Sequence, residues 1–272
     1  MDISMWTSFL YEWTPEGAVS NLHRHGFTCA ELSDEHAQAL MERTPEGLHR
    51  FITHCQNLGF RIPQAHFKLY ANLDEPEPIK RRALIDELKR WCDMFNEIGV
   101  KAGVLHPSGV HSDMNCSKDI IAAGLAELLD HSKGMSFSFC LENLPGVFRH
   151  FREIHDLIAM VPDSDSRLNY CLDTGHLQWA GDSCAEYVYA AGSKLKALHI
   201  TDCAGKGERI DHIFPFGPGK VNWKDFIKAL REVGYNGLFN YEVPAERAGC
   251  TPDILLIKLD YALQLAKTML SF

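Results

Sequence analysis

Residues 168–173 read LNYCLD, an apolar run that closes on an acid, and three more segments share its form: FSFCLE at 137–142, LKALHI at 195–200 and GLFNYEV at 237–243. Each reads as a buried strand whose far end carries Asp173, Glu142, His199 or Glu242. A strong acid or an imidazole in such a place is costly unless a charge compensates it. For a carboxylate-rich set with one imidazole, a hard or borderline divalent cation is the commonest compensator. In a parallel α/β barrel the carboxyl ends of the strands all point to one rim, where active sites are built. One pattern therefore implies both a fold and a metal centre.

Working outward, short apolar runs alternate with longer amphipathic ones, as in successive βα units. Strands are expected near 2–9, 27–32, 61–67, 100–106, 136–142, 168–173, 195–201 and 237–243. Eight strands with helices between them make one closed barrel or a long doubly wound sheet. The chain of 272 residues fits a (β/α)8 barrel of about 250 residues. Thr14-Pro15-Glu16 and Thr44-Pro45-Glu46 each offer a capping Thr, a Pro at the first helical position and an acid in the first turn. Gly59 and Gly99 end two helices, each followed at once by a strand. No low-complexity segment or Ser/Gly linker divides 1–272, so one TIM-barrel domain is expected. The segment 202–222 (DCAGKGERIDHIFPFGPGKVN) is long, Gly-rich and charged, as suits a functional loop over the barrel mouth.

Hydrophobic residues make up 46% of the chain and charged ones 23%, enough for a sizeable core in an ordinary soluble protein. The formal charge of −9 disfavours a protein whose main task is gripping phosphate backbones. The nine cysteines form no CxxC pair, and Cys29, Cys140 and Cys171 lie in strand-like runs, so they read as small core residues of a reducing compartment. The start, MDISMWTSFLYEW, lacks a basic stretch leading into an apolar one, and no apolar run approaches the roughly 18 residues of a membrane span. The expectation is a cytoplasmic protein with no membrane and no nucleic-acid partner.

Taken singly, the four strand-end residues have structural readings. Asp173, in LDTGH, is a natural helix cap; a lone Glu suits an ion pair, and a lone His in a strand suits a core hydrogen bond. Four such residues at four successive strand ends point to shared chemistry. Others join them: His66 in IPQAHFK, His106 in GVLHPSG, His176 three residues after Asp173, and Asp211 with His212 in the long loop. Convergent titratable groups in a barrel mouth make a site hypothesis. Trp6 and Phe67 are the aromatics best placed to offer a ring to a sugar's C–H face, among Phe9, Trp179, Phe214 and Phe216. Lys68, Lys206 and Arg209 are candidate anion contacts.

The segments CLENLPG (140–146), CLDTGHLQWAGD (171–182), LHITDCAG (198–205), DHIFPFGPGKVNW (211–223) and YNGLFNYEV (235–243) resemble the xylose-isomerase-like barrel superfamily. That group includes sugar and sugar-phosphate isomerases and epimerases, and endonuclease IV-type enzymes. The resemblance implies a (β/α)8 barrel in which Glu142, Asp173, His199 and Glu242 bind one divalent ion (Mn²⁺, Mg²⁺, Co²⁺ or Zn²⁺). It also implies that His176 and Arg209 touch substrate oxygens, and that the protein forms a homodimer or homotetramer.

The chemistry follows independently. A 2-hydroxy carbonyl sugar chelates a cation, which stabilises negative charge developing on oxygen and acidifies the intervening C–H. One carboxylate then removes the proton and another acid returns it from the opposite side, with Glu142 and Glu242 as the natural pair. Return to the neighbouring carbon isomerises the sugar; return to the other face of the same carbon epimerises it. His66, His106, His176, Arg209, Asp211, His212 and Trp6 are the expected substrate contacts. Two alternatives stand beside this. Loss of a β-hydroxyl after the same C–H abstraction would make the protein a dehydratase. An endonuclease IV-type zinc hydrolase would recruit His66, His106, His176 and His212 as further ligands; the acidic composition, the adjacent Asp211-His212, where such enzymes have Asp-x-His, and Gly175, where they usually have Cys, weigh against it.

Overall fold

The computed structural model describes residues 1–109, 116–162, 167–205, 212–244 and 250–272. Among these, eight strands run Asp2–Met5 (β1), Cys29–Leu32 (β2), Arg61–His66 (β3), Ala102–Leu105 (β4), Ser138–Glu142 (β5), Leu168–Asp173 (β6), Leu195–His199 (β7) and Leu238–Tyr241 (β8). Ten α-helices accompany them: Pro15–Arg24 (α1), Asp34–Met41 (α2), Pro45–Leu58 (α3), Pro78–Ile98 (α4), Lys118–His131 (α5), Phe151–Met160 (α6), Thr174–Ala180 (α7), Cys184–Ala191 (α8), Trp223–Glu232 (α9) and Pro252–Met269 (α10).

All strand pairs are parallel. β2 to β7 pair in chain order, and β1 pairs with β8, Asp2 opposite Leu238 and Met5 opposite Tyr241. Single parallel bridges, Trp6 to Glu31 and Ile200 to Tyr241, join these two sets at both seams and close the barrel. The expected (β/α)8 architecture is the one observed. No helix among the described residues is long and apolar enough to cross a membrane.

The predicted caps form. Thr14 and Thr44 each accept a hydrogen bond from the backbone amide three residues on, at Gly17 and Gly47. Gly59 and Gly99 end α3 and α4 with φ of +64° and +92°, the left-handed conformation that glycine reaches at least cost. The first strand is shorter than expected. After Met5 the chain turns into a 3-10 helix over Thr7–Leu10. It is tied there by Thr7, whose hydroxyl accepts from Ser33 N (2.9 Å) and meets Ser33 Oγ (3.2 Å) across the β1–β2 seam.

The period-2 alternation of each strand sorts the core into two parts. Outward positions such as Phe139, Leu141, Leu172, Leu198, Phe239 and Tyr241 pack into the large apolar layer between barrel and helices. Inside the barrel, Ala102, Val104, Cys140, Cys171 and Ala197 form a separate cluster of small side chains. Two residues further along the same inward rows come His106, Glu142, Asp173 and His199. The pleat therefore makes Cys140 core and Glu142 rim. Phe67, expected as a mouth aromatic, falls on the outward phase: it is fully buried against Trp91, Phe95 and Phe139, with ring centroids 4.8–6.4 Å away.

Candidate metal centre

Glu142, Asp173, His199 and Glu242 converge at the carboxyl end of the barrel, one donor atom from each lying within 4.8 Å of the others. The geometry follows from the register: Asp173 pairs with His199 on β6 and β7, and Glu142 lies opposite Cys171, two residues before Asp173. His199 Nδ1 sits between two carboxylates, 3.2 Å from Glu142 Oε2 and 3.1 Å from Glu242 Oε2. All four residues are buried.

Buried polar atoms are almost always hydrogen-bonded, yet each of the four residues leaves one such atom without a hydrogen-bond partner: Glu142 Oε1, Asp173 Oδ2, His199 Nδ1 and Glu242 Oε2. Three carboxylates and an imidazole with unspent lone pairs in one place fit a divalent cation. Asp173 also performs the role its LDTGH context foretold. Its Oδ1 caps α7 by accepting from His176 N at 2.6 Å, which leaves Oδ2 for the cluster.

The histidines form a second ring around Glu142. His66 and His106 each place Nε2 3.3 Å from Glu142 Oε2, and His176 places Nδ1 3.4 Å from Glu142 Oε1. His212, on the returning limb of the long loop, brings Nε2 to 3.6 Å from Asp173 Oδ2 and 3.9 Å from Glu242 Oε2. Burial pushes the Glu142 carboxyl up, but the neighbouring His199 and His106 rings prevail and hold it well below the usual carboxylate range. Glu242 goes the other way, raised by burial that His199 only partly offsets. Burial would lower His66 and His176, yet Glu142 beside the first, and Asp173 with Glu142 beside the second, raise both to about 9. Burial would lower His199 too, but Cys171, Glu242, Glu31 and Glu142 around it outweigh that and raise it well above its ordinary value. Without a cation, the carboxylates favour the protonated forms of His66, His176 and His199, whereas burial lowers His106.

A cavity of about 170 Å³ opens onto this cluster, lined by Trp6, Leu69, His106, Glu142, His176, His212, Glu242 and Pro244. It is smaller than the roughly 300–1,000 Å³ of a drug-sized site, so it suits a compact ligand. Trp6 lines this cavity, its Nε1 donating to Val243 O at 3.2 Å. His66 lies against Glu142, just behind this lining. Phe9 and Phe214 pack on each other with a centroid separation of 6.3 Å, Phe216 stands exposed near Trp223, and Arg149 covers Trp179; none of them lines the cavity. Lys68 is held by Glu87 at 2.9 Å. Lys206, Arg209 and Asp211 lie outside the described residues.

Sequence reasoning missed the residues that hold the candidate ligands in place. Asn143 clamps β5 to β6, donating to Asp173 O at 2.9 Å and accepting from Asp173 N at 2.8 Å. Its signal was an amide directly after a strand-end acid in CLEN. Asp202 secures the loop that carries His212. It pairs with Ile213 through the backbone, while its carboxylate accepts from Val221 N (3.1 Å) and Trp223 Nε1 (2.9 Å). Gly219 makes this possible, because a Cβ there would lie 2.0 Å from Asp202 Cγ. Gly219→Ala is therefore expected to displace the carboxylate and cost about 1–3 kcal/mol, as overpacking typically does. A urea unfolding midpoint equal to that of the unmodified protein would refute this account of the loop.

Residues 19–264 match a family model described as xylose isomerase-like TIM barrel. A protein of Chlorobium luteolum named probable endonuclease 4 is 28% identical over 216 residues, covering 70% of this chain and 75% of its own length. The crystal structure of D-psicose 3-epimerase in the presence of D-fructose matches with a TM-score of 0.80 at 17% identity, covering 100% of both chains. D-psicose 3-epimerase with D-tagatose from Clostridium cellulolyticum H10 matches with a TM-score of 0.81 at 18% identity, covering 99% of both. At these identities the structural likeness speaks for the fold.

Proposed function

The chain belongs to the xylose isomerase-like TIM barrel family, and on that premise we propose that it is a divalent-metal-dependent isomerase or epimerase of a small sugar. The observation that carries this reading is the convergence of four unsatisfied donor atoms from β5, β6, β7 and the end of β8 beneath a compact cavity. Glu142, Asp173, His199 and Glu242 would hold the cation, whose chemistry is that of a Lewis acid toward neighbouring carbonyl and hydroxyl oxygens.

The remaining work falls to side chains. Glu142 and Glu242 approach His199 Nδ1 from two non-adjacent strands, so a sugar above the cluster has a carboxylate on either side. One takes a proton from the carbon beside the carbonyl and the other delivers one to the opposite face. His176, His212 and His106 line the cavity as hydrogen-bond partners for hydroxyls, and Trp6 gives an apolar wall. The solved sugar 3-epimerases of the same fold favour epimerisation over dehydration of a keto-polyol. The test is incubation of the metal-loaded protein with a panel of ketoses in deuterium oxide. A product epimer or isomer labelled at the exchanging carbon is expected; unlabelled product or an eliminated water would reject the scheme.

A second reading has an observation of its own. His66, His106 and Glu142 form another group able to hold an ion, as do Asp173, His176 and His212. Three sites in a row suit the hydrolytic chemistry of the relatives named probable endonuclease 4. The formal charge of −9 weighs against a duplex-binding surface. Elemental analysis divides the two: about one ion per chain supports the sugar enzyme, and two or three zinc ions with incision of abasic DNA supports the repair enzyme.

A further inference from the structure

Below the ligand layer lies a buried carboxylate that belongs to none of the candidate cation groups. Glu31, on β2, is 0% exposed and points into the barrel interior. Its Oε1 lies 3.1 Å from His199 Nε2, and its Oε2 accepts from Asn240 Nδ2. Asn240 is held in turn by Ser4, whose hydroxyl donates to Asn240 Oδ1 at 2.8 Å. Ser4 and Asn240 are also fully buried. The chain Ser4–Asn240–Glu31–His199 thus crosses the barrel through β1, β8, β2 and β7 and ends on a proposed ligand.

We infer that Glu31 is a positioning residue that fixes the tautomer and orientation of His199, so that Nδ1 presents its lone pair to the cation. This inference rests on the cation-site reading above. An ionised carboxylate only accepts hydrogen bonds. With Oε2 already bonded to the Asn240 amide, Oε1 requires the proton on His199 Nε2. Nδ1 is then the nitrogen left to coordinate, and it is the one without a hydrogen-bond partner between Glu142 and Glu242. A carboxylate behind an imidazole also makes that imidazole a stronger donor, and loss of such a partner typically costs about 10–100-fold in metal affinity. The register supports the assignment: Glu31 sits opposite Gln64, one inward layer below His66. Both its oxygens are engaged, so it is not a fifth ligand.

The decisive experiment is zinc titration of the metal-stripped full-length protein against a chelating dye, comparing the unmodified chain with Glu31→Gln. The glutamine is nearly isosteric and keeps an acceptor but loses the charge. A drop of about 10–100-fold in affinity, with an unchanged circular dichroism spectrum, is expected. An affinity within twofold of the unmodified protein in a folded variant would overturn the inference while leaving the cation site standing. Zinc-loaded unmodified protein with ¹⁵N-labelled histidine provides a second readout that does not depend on the variant folding. Its spectrum should place the His199 proton on Nε2 and zinc on Nδ1; the reverse assignment overturns the inference. Failure of the unmodified protein to take up zinc would overturn both this inference and the reading beneath it.

Discussion

Glu142→Gln and Glu242→Gln are each expected to lower turnover of the cognate sugar by about 10²–10⁴-fold, the usual contribution of a positioned general acid or base. Glutamine preserves shape and hydrogen-bonding reach, so the loss should come with little unfolding. The two variants should differ in one respect. If Glu142 and Glu242 serve opposite faces of one carbon, each variant keeps the base for one epimer. It should still exchange that epimer's proton with deuterium oxide while failing to convert it. Glu142→Gln should exchange one epimer and Glu242→Gln the other. Since both residues are also proposed ligands, metal content must be measured beside turnover. A variant that retains its metal and more than about a tenth of its activity would remove that residue from the acid–base pair.

Stripping the proposed cation is the second large perturbation. It leaves Glu142, Asp173 and Glu242 buried together, with unsatisfied oxygens and only histidines to balance them. A ligand present at a thousand times its dissociation constant stabilises the native state by about 4 kcal/mol. For a chain of this size, that corresponds to a rise in Tm on the order of 10 °C. Chelation should therefore lower the melting temperature by that amount, and adding back the ion should restore it. The shift should shrink as the pH falls, because protons compete for the same lone pairs. Near neutral pH, uptake should release protons from the imidazoles that the carboxylates hold protonated in its absence. Superimposable melting curves with and without the ion would remove the cation from the structure's energetics.

The four proposed ligand positions stood out in the sequence because burial and charge conflict there. An acid closing LNYCLD or FSFCLE has no cheap explanation inside a strand, and strand ends of a parallel barrel share one rim. What stayed hidden has a common cause. Glu31 and Asn240 act through partners 168 and 209 positions away in the chain, and local pattern carries no trace of such pairings. Glu31 looks like an ordinary surface acid in the segment FTCAELSDE. Only the inward phase of β2 reveals it. Phe67 shows the converse error: adjacent to His66, it seemed a mouth residue, but neighbours in a strand face opposite sides. Asp173 resolved a contest between two readings by satisfying both, one oxygen capping the helix and the other facing the cluster.

The seam between β1 and β8 has a consequence for how the protein is made. Trp6 reaches across it to Val243, 237 positions away, and Glu242 lies immediately before that contact. A chain emerging from the ribosome offers Glu142, Asp173 and His199 well before the residue that completes their set. Until the last strand pairs with the first, those three donors lack the fourth. If these four residues hold a cation as proposed, tight capture would coincide with closure of the whole ring and would favour finished molecules over nascent ones.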